Sequence, residues 1–243
     1  MIAIKTTHLC KSYQHINAVT NLNIEIMDGE LYSLLGVNGA GKTTTLKMLS
    51  CLIKPTSGDA QIYNYNLLTQ SQNIKQIINI SPQETAVAPM LSVQENLIFM
   101  AEIYGFDKLT AKQKTKDIMD TLQLSSVAHQ KAGTLSGGYQ RRLSIAMAII
   151  SEPKILFLDE PTLGLDVLAR RELWNLIVQL KKQMTIILTT HYLEEAESLS
   201  DHIGIMNQGK LVASGSVEEL LQQTNTTCFE DAFVKFSQQG GIL

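Results

Sequence analysis

Residues 1 to about 30 alternate polar and apolar positions, as in IAIKTTHL and NLNIEIMDGEL, the period of antiparallel strands with one wet face. LYSLL (31–35) abandons that alternation for a continuous apolar run and then enters a glycine-rich loop. KTTTLKMLSCLI continues as a predicted helix that stops before KPTSGDA, a stretch full of turn formers. IKQIINISPQ predicts another strand, and after Pro82 the character becomes helical from LSVQENLIFMAEIYG through LSIAMAIISE. Ser92 with Glu95 forms a capping box, and Gly105 suits the residue just past a helix end. KILFLDE is a short apolar run, the mark of a strand buried on both faces of a parallel sheet. A helix (VLARRELWNLIVQLKKQ), a strand (MTIILTT), a short helix (YLEEAESLS) and a hairpin (HIGIMNQGKLVASG) follow. Near the end, Phe229, Phe233 and Phe236 recur at helical spacing and predict an amphipathic helix docked on the core.

These elements describe an α/β chain. Residues 1–83 and 153–220 form an α/β core with an N-terminal antiparallel β subdomain, about 84–152 a mostly helical insertion, and about 221–243 a C-terminal tail. No internal repeat or low-complexity segment interrupts them. With 243 residues, 44% hydrophobic and 18% charged, the composition is that of an ordinary globular protein. The net charge of −3 comes without a basic stripe, which argues against a chain that grips nucleic acid by its phosphates. Cys10, Cys51 and Cys228 are scattered without paired spacing, suggesting neither a disulfide framework nor a zinc site. The N-terminus lacks the basic start and apolar core of a signal peptide. The apolar runs fall short of the roughly 18–20 residues that a membrane-crossing helix needs.

The glycine-rich loop carries the first chemistry. Gly36 to Thr43 fits G-x-x-x-x-G-K-[ST], sits after a strand and opens a helix, the context in which that pattern is a phosphate-binding P-loop. Backbone N–H groups of such a loop turn inward to make a nest for phosphate oxygens, and the helix adds its positive end. In this arrangement Lys42 reaches the β- and γ-phosphates, and the Thr43 hydroxyl ligates magnesium. A glycine-rich turn with a solvated lysine would show the same letters outside the strand-loop-helix context. In ILFLDE the apolar residues bury the strand and Asp159 emerges at its carboxyl end, where ligands bind in open α/β sheets. Asp159 is there an outer partner of Mg²⁺, and Glu160 is placed to polarise an attacking water. In LSGGYQRR, Ser136 is an N-cap candidate while Gly137 and Gly138 allow close backbone approach, a second anion site at a helix N-terminus. Alone, Ser-Gly-Gly is an ordinary turn.

Together these stretches resemble the ATP-binding cassette ATPases, the nucleotide-binding subunits of ABC transporters, in the family's order over nearly the whole chain. The resemblance implies a P-loop NTPase core with an N-terminal antiparallel β subdomain and an inserted α-helical subdomain. It makes Tyr13 the aromatic that stacks on adenine, and Gly36, Val37, Asn38, Gly39, Ala40, Gly41, Lys42, Thr43 and Thr44 the Walker A loop. Val37 stands where a proline is common, a change expected to be harmless. Gln83 matches the glutamine that touches magnesium and links the core to the helical subdomain. Ser136, Gly137, Gly138 and Gln140 belong to the signature sequence, and Asp159 and Glu160 to the Walker B strand with its following glutamate. Asp166 matches the segment that crosses to a partner cassette, with Val167 replacing a frequent proline. His191 matches the switch histidine at the γ-phosphate.

The resemblance thus implies ATP and Mg²⁺ as ligands, with Glu160, His191, Lys42 and Gln83 in the catalytic set and Thr43, Gln83 and Asp159 at the metal. The C-terminal stretch HYLEEAESLSDHIGIMNQGKLVASGS with CFEDAFVKF resembles a bacterial exporter branch that moves drugs, antibiotics, sodium ions or surface polysaccharides. It implies an ATPase subunit on the cytoplasmic face of a bacterial membrane. A separate permease and a homodimer or pseudo-dimer with a second cassette would be its partners, with no nucleic acid. Two other classes are weighed against it. A soluble cassette ATPase acting on nucleic acid or ribosomes would carry paired cassettes, a long coiled-coil insertion or zinc modules, and a regulator that does not hydrolyse ATP would not need Glu160 and His191.

Overall fold

The computed structural model describes residues 1–239. Antiparallel strands open the chain: β1 (Ile2–Tyr13), β2 (Ile16–Leu22) and β3 (Glu25–Met27). β4 (Leu31–Leu35) leads through the glycine-rich loop to α1 (Lys42–Leu49), β5 (Ser57–Ile62) and β6 (Tyr65–Asn66). α2 (Ser71–Lys75) and β7 (Ile78–Ser81) precede the insertion, built from α3 (Val93–Ile103), α4 (Lys108–Thr121) and α5 (Gly137–Ile149). The chain then forms β8 (Ile155–Asp159), α6 (Val167–Lys181), β9 (Thr185–Thr190) and α7 (Leu193–Leu199). A hairpin of β10 (His202–Asn207) and β11 (Lys210–Gly215) is followed by α8 (Val217–Thr224) and α9 (Phe229–Gln239). Residues 240–243 of the expected tail lie outside the described residues.

Two sheets result. One is antiparallel, in the order β2-β1-β5-β6 with β3 also paired to β1. The other has the order β11-β10-β4-β9-β8-β7, parallel except where β11 closes the hairpin with β10. Its central strands are buried on both faces, as their unbroken apolar runs demand. Because side chains alternate across a strand, β8 feeds two cores: Ile155 and Phe157 join α1 and the antiparallel strands, while Leu156 and Leu158 join α3, α5 and α6. β9 does the same, with Ile187 on one side and Ile186 and Leu188 on the other. A third cluster packs Phe229 and Phe236 of α9 with Phe233 partly buried beside them, against Ile203, Ile205 and Leu220, so the terminal aromatic spacing is a docked helix.

The capping box at Ser92 and Glu95 is present in both directions, and Gly105 follows α3 with φ +86°. Three local expectations differ from the fold. α1 ends at Leu49 instead of running on through Ile53, because Cys51 turns left-handed at φ +58° and the N–H groups of Leu52 and Ile53 bond back to the Lys47 carbonyl. The first part of the strand expected from Ile74 is the end of α2, leaving only Ile78–Ser81 extended. The turn formers of KPTSGDA run into β5, since pairing of Ser57 with Cys10 and of Asp59 with Thr7 outweighs their local preference.

Gly58 is the residue that permits this pairing. It has φ +77°, and a Cβ there would lie 2.1 Å from the His8 carbonyl oxygen of β1. Gly105 shares the left-handed backbone at φ +86° but faces open space. Gly105→Ala should therefore cost about 1–2 kcal/mol of left-handed strain alone. Gly58→Ala should cost about 1–3 kcal/mol more, because β1 must move. Chemical denaturation of the two variants checks this, and equal losses would remove the close-approach explanation.

Candidate functional site

The carboxyl ends of β4, β8 and β9 open into a cleft of about 650 Å³. Asn38, Gly39, Ala40, Gly41, Lys42, Thr43 and Thr44 form its floor, Gln83, Glu160 and His191 stand on one side, and Asn17, Ala18 and Gly209 on another. Gly41 caps α1 with φ +100°, and a Cβ there would sit 2.5 Å from the Ala18 carbonyl oxygen, so only glycine lets the loop pass beneath the antiparallel strands. Gly209 N–H donates to the Ala40 carbonyl at 3.1 Å and the Gly209 carbonyl accepts from Thr20 N–H at 2.7 Å, which stitches the loop to β2.

Lys42 is 4% exposed. Its ammonium donates to the carbonyls of Gly36 (2.8 Å) and Val37 (3.2 Å) and lies 3.5 Å from Glu160 Oε1. Burial pushes its pKa below the ordinary lysine range, while Glu160 and then Asp159 oppose the shift. Asp159 Oδ1 accepts from two hydroxyls, Thr43 Oγ1 at 2.9 Å and Thr189 Oγ1 at 2.6 Å. The same Thr189 hydroxyl accepts from Glu160 N–H at 3.0 Å. Glu160 turns out of β8 with φ +46°, which aims its carboxylate between Lys42 and His191. His191 Nδ1 is 3.3 Å from Glu160 Oε2, close enough to pair but without hydrogen-bonding geometry. The Thr43 hydroxyl and the Asp159 carboxylate are adjacent hard oxygens, and the Gln83 side chain lines the same cleft. That donor set suits Mg²⁺ completed by phosphate oxygens and water.

The remaining expected residues lie elsewhere. Tyr13 is 45% exposed on the β1–β2 hairpin, under Lys11 at 5.0 Å, and does not line the cleft; its strand partner Ile16 does. Ser136 sits at the N-cap of α5 with an extended backbone and no side-chain capping bond. Gly137 and Gln140 border a separate cleft of about 380 Å³, joined to the first by Gln83 and Leu163, which line both. Gln140 itself donates to the carbonyls of Ala132 and Leu135 and so braces the loop before α5. Gly138 packs beside Ala169 of α6. Asp166 caps α6 by accepting from Leu168 N–H and Ala169 N–H, both at 2.9 Å, and Val167 is exposed.

Two residues that the motifs do not mark are central to this geometry. Thr189, next to last in β9, places a hydroxyl near the end of an apolar strand, and only its pairing opposite Asp159 in the β8–β9 register reveals its use. Arg141, 5% exposed on α5, donates to the carbonyls of Pro82 (2.8 Å) and Gln83 (2.6 Å), which joins the signature helix to the Gln83 loop. Burial lowers its pKa and Asp159 opposes that.

Comparison with known proteins agrees with the geometry. Residues 19–163 match a family model described as ABC transporter. The chain is 36% identical over 219 residues to a daunorubicin/doxorubicin resistance ATP-binding protein of Streptomyces peucetius, an alignment covering 90% of this chain and 66% of that protein. It is 40% identical over 217 residues to the human phospholipid-transporting ATPase ABCA3, covering 88% of this chain and 13% of that one. An ATP-binding cassette solved as a dimer in a post-hydrolysis state with ADP and Pi superposes with a TM-score of 0.79 at 26% identity, covering 88% of this chain and 98% of that one. The chain therefore spans about two-thirds of the bacterial relative and a small part of the human one.

The doubly bonded hydroxyl of Thr189 gives a direct test of the site's architecture. Thr189→Val should cost about 1.5–3 kcal/mol in denaturant melts, the range for a hydrogen bond to a charged group, and Thr189→Ser should recover most of it. Valine tolerated without loss would mean that Asp159 does not need that hydroxyl.

Proposed function

The chain belongs to the ABC transporter family, and on that premise we propose that it binds and hydrolyses ATP to power a membrane exporter through a separate permease. The observation that carries the reading is Lys42, Thr43 and Glu160 lining one cleft over the glycine loop, with the buried Asp159 carboxylate bonded to the Thr43 hydroxyl. Among the described residues no helix is long and apolar enough to cross a membrane, so a transport role needs a partner that does. The resistance protein of Streptomyces peucetius supports the exporter branch, which would place the chain on the cytoplasmic face of a bacterial membrane.

In this reading the loop from Gly36 to Thr44 receives the phosphates on backbone N–H groups, and Tyr13, next to the cleft-lining Ile16, reaches the adenine. Thr43, Asp159 and Gln83 would hold Mg²⁺, which when bound neutralises phosphate charge. Lys42, now shared between loop carbonyls and Glu160, turns to the β- and γ-phosphates. That removes a cation from Glu160 and leaves its carboxylate free to accept a proton from the attacking water. The water oxygen attacks the γ-phosphorus and the bond to the β-phosphate oxygen breaks, giving ADP and phosphate. His191, beside Glu160, contacts the γ-phosphate. The core (1–83 and 153–220) would supply this chemistry, the helical subdomain (84–152) would engage the permease, and the tail from about 221 would pack on the core.

The second anion-seeking helix end, at Ser136, does not line the cleft of its own chain. A head-to-tail pair, in which each Ser136, Gly137, Gly138 and Gln140 segment closes over the partner's nucleotide, gives that end a phosphate to meet. Exposed apolar side chains at Val37, Leu163, Val167 and Leu168, near the loop and the segment after Glu160, offer the contact surface. Asp166 would cross at that seam.

Glu160→Gln should bind ATP with unchanged affinity while its turnover number falls about 10²–10⁴-fold, since the amide keeps the shape and loses the basicity. Equal turnover in the two proteins would place the base elsewhere. In sedimentation with ATP and Mg²⁺, Glu160→Gln should run as a dimer, and as a monomer without nucleotide. Adding Ser136→Arg should keep the chain monomeric while ATP still binds, and a double variant that still dimerises would remove the signature from the interface.

A further inference from the structure

Glu195, on α7, is fully buried and takes no part in the chemistry above. Its Oε1 accepts from Trp174 Nε1 of α6 at 2.9 Å. Its Oε2 has no partner in hydrogen-bonding geometry, and neither has the buried Thr162 Oγ1. The hydroxyls of Thr190 and Thr162 are nonetheless near enough to favour its ionised form against the larger effect of burial. Thr190 Oγ1 in turn accepts from Tyr192 N–H at 3.0 Å, and the Arg170 guanidinium lies over the Tyr192 ring at 5.1 Å. Among these neighbours, Thr162 follows Glu160 by two positions, and Thr190 immediately precedes His191.

An unpaired carboxyl oxygen in a dry interior costs free energy that an apolar side chain of similar size would not. Its placement between the two segments that carry Glu160 and His191 gives that cost a purpose. We propose that Glu195 is a positioning residue for ATP hydrolysis: its bond to Trp174 ties α6, which follows the Glu160 segment, to α7, which follows His191, and so sets the separation of base and histidine. The role rests on the hydrolytic function proposed above. Burial raises the Glu195 pKa above the ordinary glutamate range, opposed in order by Thr190, Thr162, Trp174 and Arg170.

The test is steady-state ATP turnover, with folding followed by the fluorescence of Trp174, the chain's single tryptophan. Glu195→Ala should lower kcat about tenfold to a hundredfold, the scale of a small misplacement of a reacting group, with KM for ATP unchanged. Glu195→Gln should stay within about threefold of wild type, because its amide oxygen still accepts from Trp174. In a His191→Ala background, Glu195→Ala should add little further loss, since both act through the same histidine. Trp174→Phe, which removes the donor and leaves Glu195 in place, should reproduce the kcat loss and the same non-additivity if Glu195→Ala does not fold, with folding then followed by circular dichroism. Unchanged kcat in a folded Glu195→Ala, a glutamine variant as slow as the alanine one, or full additivity with His191→Ala would overturn the positioning role alone. A wild-type chain that hydrolysed no ATP would overturn the functional reading and this role with it.

Discussion

Lys42, Asp159 and Glu160 are each less than a tenth exposed, and a protein keeps three charges so far from water only by giving every one a partner. Here the partners are two hydroxyls, two loop carbonyls and the charges themselves. They come from β8, β9, the loop after β4 and the start of α1, so the cluster exists only when the three strands stop at matching heights. The register does this, with Leu35 opposite Thr190 and Thr189 opposite Asp159. A slip of one residue would turn each side chain to the other face and bury the carboxylates in apolar surroundings. The two-sided packing of β8 and β9 fixes that register, since alternate residues must enter different cores.

The cleft above the cluster is lined from several parts of the chain. Gly209, after β10, reaches the loop through Ala40 and β2 through Thr20, so the antiparallel strands form one wall. Gln83 forms another, at the junction with the helical insertion. Arg141 holds its carbonyl from α5, and the Ser81 and Ser144 hydroxyls meet at 2.9 Å beneath it. Hydrogen bonds as well as loop contacts therefore join α5 to the Gln83 segment. Since α5 begins at the Ser136 segment, this path connects the proposed intersubunit contact with the proposed metal site.

Much of the architecture was legible in the chain because it depends on local period and end chemistry. LYSLL and ILFLD are unbroken apolar runs that become buried strands, and the Ser92–Glu95 pair caps α3. The loop from Gly36 to Thr43 was legible because a phosphate nest needs glycine, lysine and threonine at fixed offsets. Local pattern and structure part where a distant partner or an unusual backbone angle outweighs residue preference. SGDA is a strand because β1 lies beside it, and α1 stops early because Cys51 accepts a left-handed backbone.

Residue order alone determined the class of fold, the phosphate loop, the acids after β8 and the second glycine-bearing helix start, since each is written in a few adjacent letters. Only the tertiary structure decided which groups meet. Thr189 becomes the link between Asp159 and Glu160 through strand pairing 30 residues away. Thr43 meets Asp159 across 116 residues, Arg141 meets Gln83 across 58, and Trp174 meets Glu195 across 21. Tyr13 and Ser136, both marked by their motifs, stay outside the cleft that holds the other groups. A hydrogen bond depends on ångströms and angles in the folded chain, and no local pattern of residues encodes those.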